Sequence, residues 1–480
     1  MPFGGDEPTL PRVLGIVHVV ASGVGIIVGA GIYVLLASAT SEAGGLVWLS
    51  FVVSAGVCAL TAMSYAELSS MFPRTGGEYE YSSHVFGRTV TFLIGWAMAI
   101  GLVIASAAVA LGFARYAKYF FDVEERLLAG GVLVAAASIV VWGSTRWSKL
   151  VVALSLAQVA GLIFVIVIGL DHIGTGEVFQ ARGEGWWSGF SGVMSGAALV
   201  FFAYIGFDEV ATLSEETKDP TRNTPRALLW SLAISAVLYV LVAIAAVSVL
   251  GPATLAESDQ PLTDVAADAV GDRAGAVMAV FAMATTTNTV ILVLTAASRM
   301  VFAMSRSGDL PSIGSRLTRV GSPGVAVVAC AVISAGFISW GDLRLVASAT
   351  DVAIYAIFLS VNLMVVLLRR RRPDRSRPFR VPGSIAGWPV LPLLGIAVTV
   401  WMIALLEIDA VLVGLALFVL GALIAALRRS FGRIARQRDQ RSISMTSPDC
   451  GSSSSPPIAS MNSSTSLASP PINHTTDSPS

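Results

Sequence analysis

The stretch VGIIVGAGIY, Val24 to Tyr33, places Gly25, Gly29 and Gly31 close together inside an apolar run from Val13 to Leu36. Each glycine costs a helix about 1 kcal/mol relative to alanine. In hydrocarbon, freed N–H and C=O groups are tolerated only where they face protein, water or a ligand. Two readings fit: a neighbouring helix packing closely on the glycines, or an unwound midpoint whose bare peptide groups hold a small charged solute. A second stretch, FFAYIGFDEV, has Gly206 followed at once by Asp208 and Glu209. Carboxylates at membrane depth are expensive unless they face water or find partners. If the helix ends at Tyr204 and restarts after Gly206, both acids sit in the first turn of its second half. There the helix dipole and free N–H groups favour negative charge. The plainer alternative places them at a solvated inner mouth.

The elements that must carry these stretches are membrane helices. The 480 residues are 55% hydrophobic and 13% charged, with mean hydropathy +0.75, against about 25% charged residues in soluble domains. With about 20 apolar residues needed per span, the sequence predicts twelve: about 13–40, 45–71, 89–119, 127–144, 149–170, 190–214, 227–250, 273–305, 323–340, 345–368, 389–407 and 410–428. Residues 1–11 read as a cytoplasmic segment without a cleavage site. Lys and Arg set the orientation. With the N-terminus in the cytoplasm, the inner side gathers Arg74, Arg88, Lys218, Arg222, Arg226, the run Arg369–Arg372 with Arg375, Arg377 and Arg380, and a cluster from Arg428 to Arg436. The outer side keeps Lys118, Arg126, Arg182, Arg273 and Arg344, and its loop 251–272 is acidic. Both termini are then expected inside a cell membrane, plasma or inner. Residues 431–480, rich in Ser, Pro, Thr and Asn beyond Ser447, read as a disordered cytoplasmic tail. The scattered His and Cys show no metal-ligand spacing, and no phosphate loop, zinc motif or nucleophile elbow occurs. No cofactor, metal, nucleic-acid partner or enzymatic activity is expected.

Gly31 and Gly206 stand 175 residues apart. Five spans precede the sixth, and five run from it to the tenth. Two interrupted spans, each opening a set of five, match an inverted repeat over about 12–170 and 190–368, followed by two further spans over 389–428. The repeat favours a binding site at the midplane over packing glycines.

Several long motifs, in order, resemble the amino acid–polyamine–organocation permeases: IVGAGIY, AMSYAELSSMFPRTGGEYEYSSHVFG (62–87), FFAYIGFDEVATLSEETKDPTRNTPRAL (201–228), ASRMVFAMSRSGDLP (297–311) and NLMVVLLRRRRPDRSRPFRVPG (362–383). The resemblance covers residues 12–428 within a transporter domain of about 12–430. It implies an all-α, LeuT-like fold of twelve transmembrane helices, with helices one and six broken, that moves amino acids by alternating access. By position, the substrate carboxylate would meet the backbone around Gly29, Ala30 and Gly31. Its ammonium would meet carbonyls near Ile27, Phe202, Ala203 and Ile205, with Phe202 and Tyr204 as pocket walls.

Two departures narrow the expectation. Relatives with cationic substrates often carry an acid in the third span near the position of Gly101, but here that span holds no carboxylate. A neutral amino acid is therefore expected, with Asp208, Glu209 or Asp351 as the acids that could compensate for a cation. Where some proton-coupled relatives have a lysine in span five, this chain has Gln158, which cannot carry the proton and could act as a fixed neutral bridge. Coupling to H⁺ or Na⁺ stays open. Thr285, Thr286, Thr287 and Asn288 could offer oxygens to sodium or hydrogen-bond between helices. Glu67 could form an inner gate with Arg74 or the 217–226 loop, while the Arg369–Arg380 run needs no role beyond topology. The leading function is a secondary transporter of neutral L-amino acids. Its alternatives are cationic amino acid or polyamine exchange, and a non-transporting amino acid sensor.

Overall fold

The computed structural model describes residues 12–73, 77–142, 144–173, 177–183, 185–385 and 387–426. The described residues gather into one compact unit. The expected tail, the segment 1–11 and Arg74 lie outside the described residues.

The first apolar run breaks where its glycines cluster. Helix α1 (Ile16–Ile27) ends, and α2 (Gly31–Ala43) departs at 50°. Then follow α3 (Val47–Met71), a short α4 (Gly77–Ser83), α5 (Arg88–Ala117), α6 (Glu125–Trp142), α7 (Ser144–Gly169) and α8 (Trp186–Val200). After a break come α9 (Glu209–Thr212), α10 (Pro220–Glu257), α11 (Pro261–Val270), α12 (Asp272–Arg306), α13 (Gly324–Ile338), α14 (Leu343–Arg371), α15 (Val390–Leu405) and α16 (Ile408–Ala426). Among the described residues, nine helices are long and apolar enough to cross a membrane, ten with the bent α1–α2 pair. The shorter apolar α13 and α15 stand where the ninth and eleventh spans are expected. The chain is thus an all-α, multi-pass membrane protein.

Helix α5 is buried along nearly its whole length and packs on α12, α14, α6 and α13. Its glycines admit close approach: Gly101 faces Ala353 of α14 and Gly112 faces Val34 of α2. Helices α6, α7 and α16 lie at the periphery, mostly uncovered, with Leu127, Val134, Leu156 and Leu415 pointing outward.

Two boundaries differ from expectation. Helix α10 starts at Pro220, well before 227, because proline at a first helical position loses no hydrogen bond. Asp219 turns the chain into it with φ 48°. The sixth span does not hold an α-helix to Tyr204. The α-helix stops at Val200 and a 3₁₀ turn runs through Phe201–Tyr204. The chain then turns over 205–208 and rewinds for only four residues.

Candidate functional site

The two breaks meet backbone to backbone. A Cβ added at Gly31 would lie 2.3 Å from Ala203 Cα, and one at Gly206 would lie 3.0 Å from Ile26 Cγ2. Gly206 also has φ 112°, a region that L side chains avoid. The glycines that interrupt the spans are therefore the points where each break accommodates the other.

Helix α1 ends as Val28 N–H donates to Val24 (2.8 Å), and Gly29 N–H turns back to the Ile27 carbonyl (2.6 Å). Ala30 N–H donates to Thr289 Oγ1 on α12 at 3.1 Å. The expected anion-binding donors at Gly29 and Ala30 are thus engaged in this conformation. The next groups, from Gly31 onward, open α2, whose first-turn N–H groups have no intrahelical acceptor. On the other side, the Tyr239 hydroxyl of α10 lies 2.6 Å from the Ile27 carbonyl oxygen and 2.9 Å from that of Ala203. One proton therefore serves a carbonyl from each break.

Between the breaks lies a cavity of about 40 Å³. At roughly 10–15 Å³ per water, it has room for a few waters. Its lining contains Ile27, Gly29, Ala30, Gly31, Phe202, Ala203 and Ile205, together with Ile26, Gly206 and Glu209. Leu102, Ala105 and Val109 of α5, and Thr289, Leu292 and Val293 of α12, complete it. Of the expected wall residues, Phe202 is present and Tyr204 is not. Tyr204 is fully buried and donates to the Phe51 carbonyl on α3 at 2.9 Å. Residues two apart face different sides in an α-helix and in a 3₁₀ turn alike, so Tyr204 points away from the cavity that Phe202 lines. Gly101 faces Ala353 and Ile354 of α14, so an acid at that position would not line the cavity.

The two acids of the second break part company. Glu209, half-buried, lines the cavity. Asp208, at the cap position of α9, makes no side-chain capping bond to the helix it precedes. It accepts instead from Gly206 N–H at 3.1 Å, holding the turn that contains the glycine. Asp351 lies outside the cavity lining.

Gln158 is the neutral bridge. Fully buried on α7, it donates to the Gly25 carbonyl on α1 and accepts from Asn288 Nδ2 on α12 at 3.2 Å. The hydroxyls of Thr285, Thr286 and Thr287 each donate to a carbonyl one turn back in α12. The helix-to-helix bonds come from Asn288 and Thr289.

Below the breaks, Glu67 is gripped by the arginine run rather than by the 217–226 loop. It accepts from Arg369 Nε (3.1 Å) and Nη2 (2.5 Å) and from Val381 N–H (2.9 Å), with Arg377 Nε 3.3 Å away. Two residues of that run thus have a structural role beyond topology. Glu78 on α4 accepts from the Tyr65 hydroxyl at 2.6 Å. Burial, with the Asp208 carboxylate nearby, pushes its carboxyl up to about 7.

The model of the amino acid permease family matches residues 14–425. The chain belongs to this family. The permease is 31% identical over 418 residues to the branched-chain amino acid permease BcaP of Bacillus subtilis, covering 83% of this chain and 88% of that one. It is 30% identical over 421 residues to the methylthioribose transporter of the same species, covering 82% and 88%. It is 32% identical over 390 residues to the vacuolar cationic amino acid transporter 2 of Arabidopsis thaliana, covering 76% of this chain and 61% of that one. The permease is an amino acid transporter and not an enzyme. Tyr239 and Thr289 were not legible in its sequence: a lone Tyr on an apolar helix carries no spacing signal, and nothing sets Thr289 apart from the three threonines just before it.

Proposed function

We propose that the permease is a secondary active transporter of neutral, apolar L-amino acids, with the branched-chain class as its leading substrate. The observation that carries this is the cavity wall. Apart from Glu209 and Thr289, every lining side chain is aliphatic or aromatic, or the residue is glycine. The main-chain groups of the two breaks supply the polar contacts, N–H from α2 for the carboxylate and carbonyls at Ile27 and Ala203 for the ammonium. Alternating access between inverted five-span repeats is supported by the packing: α5 with α12 and α3 with α10 are the most extensive pairings, spans three with eight and two with seven. The Lys and Arg distribution supports cytoplasmic termini in a plasma or inner membrane.

A second reading, cationic substrates, is favoured by one observation: Glu209 places a carboxylate on the cavity lining. Uptake by reconstituted liposomes separates the two. Labelled leucine is expected to accumulate saturably, with isoleucine and valine competing and arginine, putrescine and methylthioribose failing to compete. Stronger competition by arginine or putrescine would transfer the assignment to the second reading. Methylthioribose, which lacks the α-amino acid group, would refute the role of the breaks by competing equally. Leucine binding without flux would make the protein a sensor.

A further inference from the structure

Asp351 lies on α14, fully buried, and neither of its carboxylate oxygens has a hydrogen-bond partner among the described residues. It is eight residues past Leu343, about 12 Å along the helix, which places it within the hydrocarbon depth. The neighbouring elements offer no cation. Helix α3 contributes the buried Cys58, within electrostatic reach of Asp351. One turn away on the same helix, Ser54 has a buried hydroxyl that is also unpartnered. Tyr355 follows one turn along α14. Helices α8 and α15 carry no charged residue at all, and the only charged residues of α5, Arg88 and Arg115, lie at its two ends. A charged carboxylate alone at this depth is too costly to persist. Its partner is a proton or a cation that comes and goes. A thiol and a hydroxyl make a poor cage for sodium, which wants several hard oxygens.

The geometry also ties Asp351 to the moving part of the site. The Tyr355 ring lies 4.2 Å from that of Phe201, the first residue of the 3₁₀ turn in the second break. Its hydroxyl donates to the Ala198 carbonyl at 3.3 Å, in the last turn of α8. Phe202 and Ala203, the next two residues, line the cavity. A change at the second break is therefore felt at Tyr355, one turn from Asp351 on the same helix. Towards the Arg369 end, the same faces of α3 and α14 meet through polar groups. Asn362 donates to Thr61 Oγ1 (2.9 Å) and accepts from Ser64 (2.7 Å).

We propose that Asp351 is the proton-binding residue of the transport cycle. The carboxylate takes up one proton when its surroundings open on one side and becomes the neutral acid. It releases that proton on the other side and returns to the carboxylate, so one positive charge moves per cycle. This rests on the alternating-access reading above, but its first test does not depend on transport. The infrared spectrum of the full chain in lipid at neutral pH should contain, beside any contribution from Glu78, a carbonyl-stretch component of a protonated carboxyl that is lost in Asp351→Asn and shifted in Asp351→Glu. Identical bands in the three proteins would overturn the assignment. In liposomes, leucine uptake by the wild type should accelerate under an inwardly directed proton gradient, and Asp351→Asn should lose that dependence. Acceleration by a sodium gradient instead, or a variant that still responds to the proton gradient like the wild type, would overturn it. If leucine proves not to be carried, the substrate reading fails and the infrared comparison still decides the proton site.

Discussion

Replacing Gly31 with alanine adds one methyl group where the two breaks touch. Its carbon would sit 2.3 Å from Ala203 Cα, 2.7 Å from Ala203 Cβ and 3.0 Å from Ala203 N. Carbon atoms rest about 3.5–4.0 Å apart, so the breaks must separate by about 1.2–1.7 Å. Two of the three obstructing atoms are main chain, and no rotamer relieves them. Overpacking of this kind costs about 1–3 kcal/mol, and at about 1.4 kcal/mol per tenfold the expected loss of kcat/KM is about 5- to 150-fold. The assay is initial uptake by liposomes, normalised to inserted protein. Gly56→Ala on α3 is the control, because an added carbon there meets nothing within 4 Å. Alanine at that site can only favour the helix, by up to about 1 kcal/mol. If Gly31→Ala and Gly56→Ala both transport at the wild-type rate, contact between the breaks is not what the site depends on.

Gln158→Leu strips partners from the Gly25 carbonyl and from Asn288; at about 1–3 kcal/mol per buried unsatisfied group, a clear fall in the thermal-unfolding midpoint and in uptake is expected. Phe202→Ala should raise KM, whereas Tyr204→Phe should lower stability through loss of the bond to Phe51 and leave KM unchanged; a KM effect confined to Tyr204→Phe would contradict the cavity described above. Glu78 has a folded-state pKa raised from 4.5 to about 7. Its stabilising contribution is therefore full below pH 4.5 and lost as pH rises through about 7. Glu78→Gln should gain on the wild type across that window by up to about 3 kcal/mol, read as diverging unfolding midpoints between about pH 5 and pH 8; parallel pH curves would contradict it.

The first break was legible because three glycines in an apolar run have few other uses, and the second because Gly206 precedes two carboxylates. The winding between them was not. FFAY is continuous in hydropathy, so nothing in residue type separates an α-helical turn from a 3₁₀ turn; and because Phe202 and Tyr204 are two apart, they could not both face the cavity in either winding. Glu67 showed its depth but not its partners, since an arginine run at an inner loop is already explained by topology. Gln158 was readable as a bridge because a glutamine at that depth must find donors and acceptors. Tyr239 was hidden because a single tyrosine in a long apolar helix resembles ordinary packing, and its role depends on two carbonyls 36 and 212 residues upstream.

The clasp on Glu67 has a consequence for how the chain is made. Its carboxylate sits 302 residues upstream of Arg369. At about 5–20 residues per second, a ribosome needs roughly 15–60 s to supply that guanidinium. Throughout that interval the inner rim of the second span has to remain wet, since an unpaired acid cannot be sealed away. The early helices can enter the bilayer in order, but their lower ends can close only once the tenth has been synthesised.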